Sequence, residues 1–417
     1  MFLRASYERS RDERGAVLIY IAISLVGLLG FSALVVDYGV MWAARRQAQN
    51  AADAGALAGA ISLAYVDPAD QDRAKAAAAA TARKNLVWGL APNVDPATDV
   101  IIGPCPPNSP GLPDTCVRVN VFRNQDKDPL PTYFARVLGI TEQGVKAMAT
   151  AQVVVGNASD CLKPWAVPDK WFENRPVEGA TWNWDSTFDR YYENGPDAGQ
   201  LLPTPPSLDE YMAPSSAGSG SGFRVPDDVG RLVRLKSGNP NQALTAGWFF
   251  PIDLPRLNDN SDTGGDRYRE NIYSCNSIPV AIGETVWNEP GDMIGPTGQG
   301  IDDLIAQDPH ATWADPDGIG GEPGHVADSC TGDVPPCAAQ SPRLVAVPVF
   351  DVDAWTMQDK TSGKFQVRIT NILGFFLQPR QGNEVMGVFT GFPGNLKAGS
   401  GKLDPSASFL RSVILIR

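Results

Sequence analysis

Histidine is nearly absent from this sequence, and its scarcity limits the chemistry that the chain can carry. Only His310 and His325 occur among 417 residues, and neither belongs to an H-E-x-x-H string. The six cysteines form no C-x-x-C pair, so a zinc site is not indicated. The catalytic strings G-x-S-x-G and G-x-x-x-x-G-K-[ST] are missing as well. We therefore expect no enzymatic activity, no catalytic residues and no cofactor.

A surplus of basic residues is also missing. The chain has 35 lysines and arginines against 47 acidic residues, which gives a formal net charge of −12. A protein that binds nucleic acid needs a basic face for the phosphates. We therefore expect no nucleic-acid partner.

Charged residues are missing altogether from one long stretch near the start. Residues 16–36 read AVLIYIAISLVGLLGFSALVV, and thirteen of them are Leu, Ile, Val or Phe. A helix of this run is about 30 Å long, the thickness of the hydrocarbon core of a bilayer. A cleavable signal peptide has a shorter apolar core, roughly 7 to 15 residues, followed by a small-x-small site that is not found after Val36. The sequence thus predicts an uncleaved transmembrane helix over 15–36.

The basic residues around this run predict its orientation. Four arginines precede the run, whereas only Arg45 and Arg46 follow it closely. Lysines and arginines are enriched on the cytoplasmic side of a span. We therefore expect residues 1–14 to be a cytoplasmic tail of a single-pass protein of the cytoplasmic (inner) membrane. The bulk of the chain would then be extracytoplasmic, in the periplasm.

Small residues recur at helical spacing in the predicted helical extension, 37–66. Alanines repeat every four residues, and two glycines lie in register beside them. Each helical glycine costs about 1 kcal/mol relative to alanine, so the pair indicates a close approach of another helix. That helix belongs either to a partner protein or to this protein's own domain. The residues expected to pack in this way are Ala52, Gly55, Ala56 and Gly59.

Three short strings mark the first sixty residues: Arg14-Gly15-Ala16, Val36-Asp37-Tyr38-Gly39 and Gln49-Asn50-Ala51-Ala52-Asp53-Ala54. In these strings the chain resembles the TadE/TadG-like proteins of Flp-pilus (tight-adherence) assembly. A type IV prepilin would have Glu five residues after Gly15, where this chain has Tyr20. The chain is therefore more similar to the TadG kind, which stays anchored. The D-x-S-x-S string of the von Willebrand A module that TadG proteins often have does not occur.

The remaining sequence predicts an α+β fold in which the long N-terminal helix leads into two further units. Residues 67–155 indicate a small pilin-like α/β unit, with a helix from Asp67-Pro68 and a short helix over 131–138. Alternating apolar residues predict its strands over 117–122 and 145–155. Residues 156–417 indicate a larger β-rich, loop-rich extracytoplasmic domain, with strands around 345–349, 365–369 and 409–416.

All six cysteines lie on the predicted outer side of the membrane. An oxidising compartment favours disulfides there, and buried free thiols are the alternative. Six cysteines allow 15 pairings, so spacing alone guides the choice. Proximity favours Cys105 with Cys116 and Cys330 with Cys337, which leaves Cys161 with Cys275.

Two turns offer oxygen ligands of the kind that calcium prefers. Asp315, Asp317 and Glu322 surround one glycine turn, and Asn258, Asn260 and Asp262 precede another. Neither set matches the EF-hand string. Solvated turns with Asx caps are the plainer interpretation, so we expect no metal site.

Tryptophans cluster among prolines and acidic residues after residue 156, at Trp165, Trp171, Trp182 and Trp184. Such clusters fill a core or bind sugars, and a core is the commoner role in a loop-rich domain. The leading hypothesis is a membrane-anchored, non-enzymatic component of Flp/Tad pilus assembly or a related secretion system. Through its N-terminal helix it would contact the membrane and envelope proteins of the pilus or secretion machine. The alternative is a membrane-tethered extracytoplasmic hydrolase or carbohydrate-binding protein with a deep, tryptophan-lined pocket.

Overall fold

The computed structural model describes residues 5–65, 71–107, 109, 111–173, 181–192, 197, 199–203, 209–225, 227–255, 264–315, 324–329, 341–358, 360, 363–401 and 403–416. Within these residues the helices are α1 (Ala5–Tyr65), α2 (Gln71–Lys84), α3 (Gly265–Tyr273), α4 (Ile294–Gln307) and α5 (Val352–Thr356), with a 3-10 helix over Ala135–Leu138. The strands of the first 160 residues are β1 (Val100–Gly103), β2 (Cys116–Arg123), β3 (Leu130–Pro131), β4 (Glu142–Gln143), β5 (Val145–Val155) and β6 (Ala158–Ser159). The later strands are β7 (Trp165–Pro168), β8 (Leu232–Ser237), β9 (Trp248–Asp253), β10 (Val280–Ala281), β11 (Thr285–Asn288), β12 (Thr312–Ala314), β13 (His325–Ala327), β14 (Leu344–Phe350), β15 (Gln366–Gln381), β16 (Glu384–Thr390), β17 (Phe392–Pro393) and β18 (Leu410–Ile416).

Helix α1 is a single helix of 61 residues that joins the apolar run to the body of the protein. No proline interrupts it. Its apolar side chains from Val17 to Val36 are exposed wherever they are described, as in a helix that lipid would surround. From Val40 onward one face of the same helix is buried against the rest of the chain. The predicted combination of a long apolar helix with a strand-rich α+β body is confirmed.

The second half of α1 packs on α2 and on a five-stranded sheet with the order β1-β2-β5-β18-β17. The alanines that face this sheet and α2 are fully buried: Ala44, Ala48, Ala51, Ala52, Ala56 and Ala60. A Cβ added at Gly55 would lie 3.0 Å from the Ala82 Cβ, and one at Gly59 would lie 2.7 Å from a Val117 methyl. The small residues thus allow α1 to approach α2 and β2 closely.

This packing places the small-residue stripe against the protein's own domain, one of the two possibilities that the sequence left open. Ala52 and Ala56 have no exposed surface, and both glycines are covered by α2 and β2 of the same chain. The helix that the glycines accommodate is therefore the protein's own α2. Sequence spacing could not separate the two possibilities, because small residues serve close packing of either kind.

The last strand of the chain completes the sheet under α1. Strand β18 pairs antiparallel with β5 over Arg411–Val155 to Ile416–Thr150, and β5 pairs with β2 on its other side. The apolar carboxyl terminus is thus hydrogen-bonded within a sheet. The sheet of the unit expected over 67–155 therefore also contains β17 and β18, which come from the last part of the sequence. These strands connect the two parts of the body.

The second sheet closes on itself. Strand β15 pairs with both β14 and β16, and the ring continues through β8, β9 and β7 back to β14. Val345, Val347 and Val349 of β14 lie on one face of this ring and belong to the same buried cluster as Phe375 and Phe389. The alternating valines therefore mark a core strand, as their period of two predicted.

The tryptophan cluster lies in or against the core of this second part. Trp165, Trp171 and Trp355 are fully buried. The Trp171 ring packs edge-on against Trp182 and Phe188, with distances between ring centres of 6.1 and 5.3 Å. Their large apolar area stabilises a region that has many loops. Core packing, the commoner of the two roles considered for these residues, is the one that the structure shows.

We predict that Gly59→Leu lowers the melting temperature of the full chain in detergent by several degrees. The leucine would collide with Val117 and Ala78, and overpacking of this kind costs about 1–3 kcal/mol. Gly39→Leu is the matched control on the same helix, because no atom lies within 4 Å of a Cβ there. Equal melting temperatures for the two variants would contradict the packing described.

Candidate functional site at the base of the membrane helix

The apolar run of α1 ends at a buried carboxylate. Asp37 is only 6% exposed, although it directly follows the exposed Val36. Its carboxylate accepts hydrogen bonds from the backbone N–H groups of Tyr133 at 2.8 Å, Phe134 at 3.1 Å and Ala135 at 2.6 Å. The side chain that sequence alone would place in the headgroup layer is therefore the attachment point of α1 to a distant loop.

That loop connects β3 to β4 and spans residues 132–141. The helix expected over 131–138 is shorter than predicted, a 3-10 helix over Ala135–Leu138 that ends at Gly139 with φ 83°. The first N–H groups of any such helix have no partner within it. Asp37 supplies the missing acceptor from another element, so one carboxylate both caps the turn and fixes it against α1.

The backbone donors around Asp37 favour its charged form. The hydrogen bond from Tyr133 N–H lowers the pKa of Asp37 most, and those from Ala135 and Phe134 add to the effect against the opposing influence of burial. A depressed pKa means that the attachment is fully present above the ordinary Asp range and is lost only as the pH falls below that range. The joint between helix and loop therefore persists at neutral pH.

Aromatic residues follow Asp37 on the exposed side of α1. Tyr38 and Trp42 are both exposed, one and five residues beyond Asp37. The guanidinium of Arg46 lies 4.3 Å from the centre of the Trp42 ring. Tyr and Trp are enriched where a span meets the headgroup layer. Their position marks the carboxyl-terminal end of the apolar run.

The structure joins two of the three cysteine pairs. Cys105 and Cys116 form a disulfide with a Cα–Cα distance of 5.1 Å, which closes the loop before β2. Cys161 and Cys275 form a second disulfide, with a Cα–Cα distance of 4.7 Å and a sequence separation of 114. The expected pair of Cys330 and Cys337 lies outside the described residues.

The expected ligand sets for calcium fall mostly outside the described residues. Asp317, Glu322, Asn258, Asn260 and Asp262 are among those not described, and only Asp315 of the two sets is. Across the part of the chain that the structure describes, no three His, Cys, Asp or Glu side chains converge in a manner suited to a metal ion.

Ionisable side chains elsewhere in the body serve the fold. Arg269 of α3 and Asp303 of α4 form an ion pair of 2.7 Å across an open surface cleft between the two helices. Asp169 is completely buried and accepts hydrogen bonds from the N–H groups of Lys170 and Phe223 and from the hydroxyls of Tyr211 and Thr370. It thereby holds the segment around Phe223 against β7.

Lys163 is another deeply buried ionisable group. Its ammonium donates to the carbonyl oxygens of Ser274 at 2.7 Å and Asn271 at 3.4 Å, just after and within α3. Carbonyls at a helix end lack donors within the helix, and the N–H groups of Lys163 supply them. Lys163 therefore fastens α3 to the strand region next to the Cys161–Cys275 disulfide.

Comparison with known families identifies the region built around α1. Residues 15–62 match the Flp pilus-assembly TadE/G-like family, and residues 40–151 match the Tad-like Flp pilus-assembly family. Over residues 15–151 the chain is therefore similar to the TadE/G-like and Tad-like proteins of Flp pilus assembly, which confirms the resemblance noted in its sequence. No curated protein and no solved structure matches the chain.

The joint between Asp37 and the 132–141 loop could not be found from the sequence. The bonded residues are 96 to 98 positions apart, and no short motif links them. The available signal was a carboxylate placed directly after an apolar run. Such a residue is most simply explained by solvation at the membrane surface.

We predict that Asp37→Ala makes the backbone amides of residues 133–135 exchange their hydrogens at least about tenfold faster, because these amides lose their acceptor. Hydrogen–deuterium exchange with mass spectrometry on the full chain measures the change. Asp53→Ala is the control on the same helix, since Asp53 accepts a hydrogen bond from Gln49 of α1 itself, at 2.8 Å. Unchanged exchange at 133–135 in Asp37→Ala would refute the capping role.

We predict opposite effects of pH on stability from Asp169 and Lys163. Burial raises the pKa of Asp169 from 3.8 to about 7, so its contribution is full below 3.8 and is lost as the pH rises toward 7. Burial lowers the pKa of Lys163 from 10.5 to about 7, so its contribution is full above 10.5 and is lost as the pH falls toward 7. Each shifted pKa unit corresponds to about 1.4 kcal/mol.

Melting temperatures of the full chain between pH 4 and pH 10 test this pair. Asp169→Asn should remove much of the decline between pH 4 and 7 and leave the rise above pH 7 in place. An asparagine can accept from the two N–H groups and donate to a hydroxyl, as the protonated acid does. If the melting temperature of Asp169→Asn depended on pH in the same way as that of the unsubstituted chain, Asp169 would be ionised throughout this range.

Proposed function

We propose that this protein is a non-enzymatic, single-pass component of Flp/Tad pilus assembly that is anchored in the cytoplasmic (inner) membrane. Residues 1–14 face the cytoplasm, the apolar run of α1 crosses the bilayer, and the two sheets extend into the periplasm. The observation that carries the proposal is the continuity of α1. One helix contains both the apolar run and the buried face on which the family-matched body is built.

Several further features support this arrangement. The four arginines before the run favour a cytoplasmic tail. The disulfides lie in the part of the chain assigned to the oxidising side. Because α1 buries its small-residue face within the chain, contacts with pilus or secretion-machine proteins are made by the surface of the body.

The alternative, a tethered hydrolase or carbohydrate-binding protein, depended on a pocket lined by tryptophans. Trp165 and Trp171 are buried in the core, so their faces are not available to a sugar. Trp182 and Trp184 pack against Phe223 in the same region. The tryptophans that were expected to line a binding pocket in the alternative therefore pack within the protein.

A complementation experiment tests the proposed function. In a strain that makes Flp pili, deletion of this gene should abolish surface pili, and the full chain should restore them. A chain in which an unrelated apolar helix of equal length replaces residues 16–36 is the matched control and should also restore pili, because that run serves as an anchor.

A third variant removes the anchor but keeps export. Residues 1–36 are replaced by a cleavable secretory signal, so that the body is released into the periplasm. We expect no pili from this variant. Full restoration by the released body would contradict the need for an anchor, and normal pili in the deletion strain would contradict a role in assembly.

A further inference from the structure

The loop over residues 132–141 presents apolar side chains at the base of the body. Tyr133 is 53% exposed, Phe134 40% and Ile140 52%. The segment reads TYFARVLGIT, with one arginine and no acidic residue, in a chain whose net charge is −12. Three large apolar side chains exposed in one short loop are unusual on a surface that contacts only water.

The position of this loop relative to the span is fixed by hydrogen bonds. The N–H groups of Tyr133 and Ala135 lie 2.8 and 2.6 Å from the carboxylate of Asp37, one residue beyond the apolar run. Gln143 also donates to the carbonyl oxygen of Asp37 at 3.4 Å. The loop backbone is therefore held beside the helix at the level where the hydrocarbon core ends.

The thickness of the headgroup layer makes this position informative. The full bilayer is about 40–45 Å thick and its hydrocarbon core about 30 Å, so each polar layer extends roughly 5–8 Å beyond the core. At about 1.5 Å per residue, that layer covers α1 from Asp37 to about Trp42. The exposed Tyr38 and Trp42 lie within it, and so does the loop fastened to Asp37.

From this juxtaposition we infer that the 132–141 loop is a second membrane contact, which inserts Tyr133, Phe134 and Ile140 into the headgroup layer beside the span. The surface that this loop contacts is the outer leaflet of the membrane that α1 crosses. Aromatic residues are favoured at this depth, and the exposed Arg136 can reach lipid phosphates. The inference rests on the proposed anchoring of α1.

The two contacts together restrict the orientation of the body. A single span can tilt in the bilayer, and the body that is packed on the same helix tilts with it. A second contact to one side of the helix opposes that tilt. Asp37 is the residue that couples the two, since it belongs to α1 and holds the loop.

Spin labels on the full chain in lipid vesicles test the inference. A nitroxide is attached to Ile140→Cys and, separately, to Tyr133→Cys. Leu25→Cys reports on the span, and Leu232→Cys of β8 is the exposed control in the body. The unsubstituted chain, treated in the same way, gives the background labelling. The measured quantity is the accessibility of each label to oxygen relative to a water-soluble nickel chelate.

We expect the oxygen-to-nickel ratio at residues 140 and 133 to be severalfold higher than at 232 and lower than at 25. Ratios at 140 and 133 equal to the ratio at 232, with the label at 25 in hydrocarbon, would overturn the second contact and leave the anchor intact. A label at 25 that is accessible to nickel would instead overturn the proposed anchoring itself.

Discussion

The structure depends on one uninterrupted helix that changes its surroundings along its length. Up to Val36, α1 exposes apolar side chains, and from Val40 onward it buries alanines against α2 and the first sheet. The backbone hydrogen bonds of a helix are satisfied internally, so the same element can pass from lipid to a protein core without a break. The anchor and the scaffold of the body are consequently one object.

The rest of the fold is built onto the second half of that helix. Glycines at positions 55 and 59 bring α2 and β2 into contact with it, and β18 returns from the carboxyl terminus to complete the sheet below. The strands of the closed second sheet lie in sequence between β5 and β18. The chain therefore enters the second sheet from the first sheet and returns to it. The first sheet packs directly on α1, and the second sheet is connected to the helix through the first.

Local patterns predicted much of this architecture, and long-range contacts could not be predicted. Alternation of apolar residues identified β5 over Val145–Val155, because its period of two requires no knowledge of the partner strand. The pairing of β18 with β5 has no local signal, since a strand's pattern does not name its neighbour. The role of Asp37 was missed for the same reason: its donors are about a hundred residues away.

The central claim is that one continuous helix carries both the span and the packed body, and that Asp37 fixes the 132–141 loop against that helix. The most direct measurement is the distance distribution between spin labels at Leu25→Cys in the span and Leu232→Cys in the body, in lipid vesicles. The account predicts a single narrow distance that broadens in the Asp37→Ala background. A broad or multiple distribution in the otherwise unsubstituted chain would contradict it.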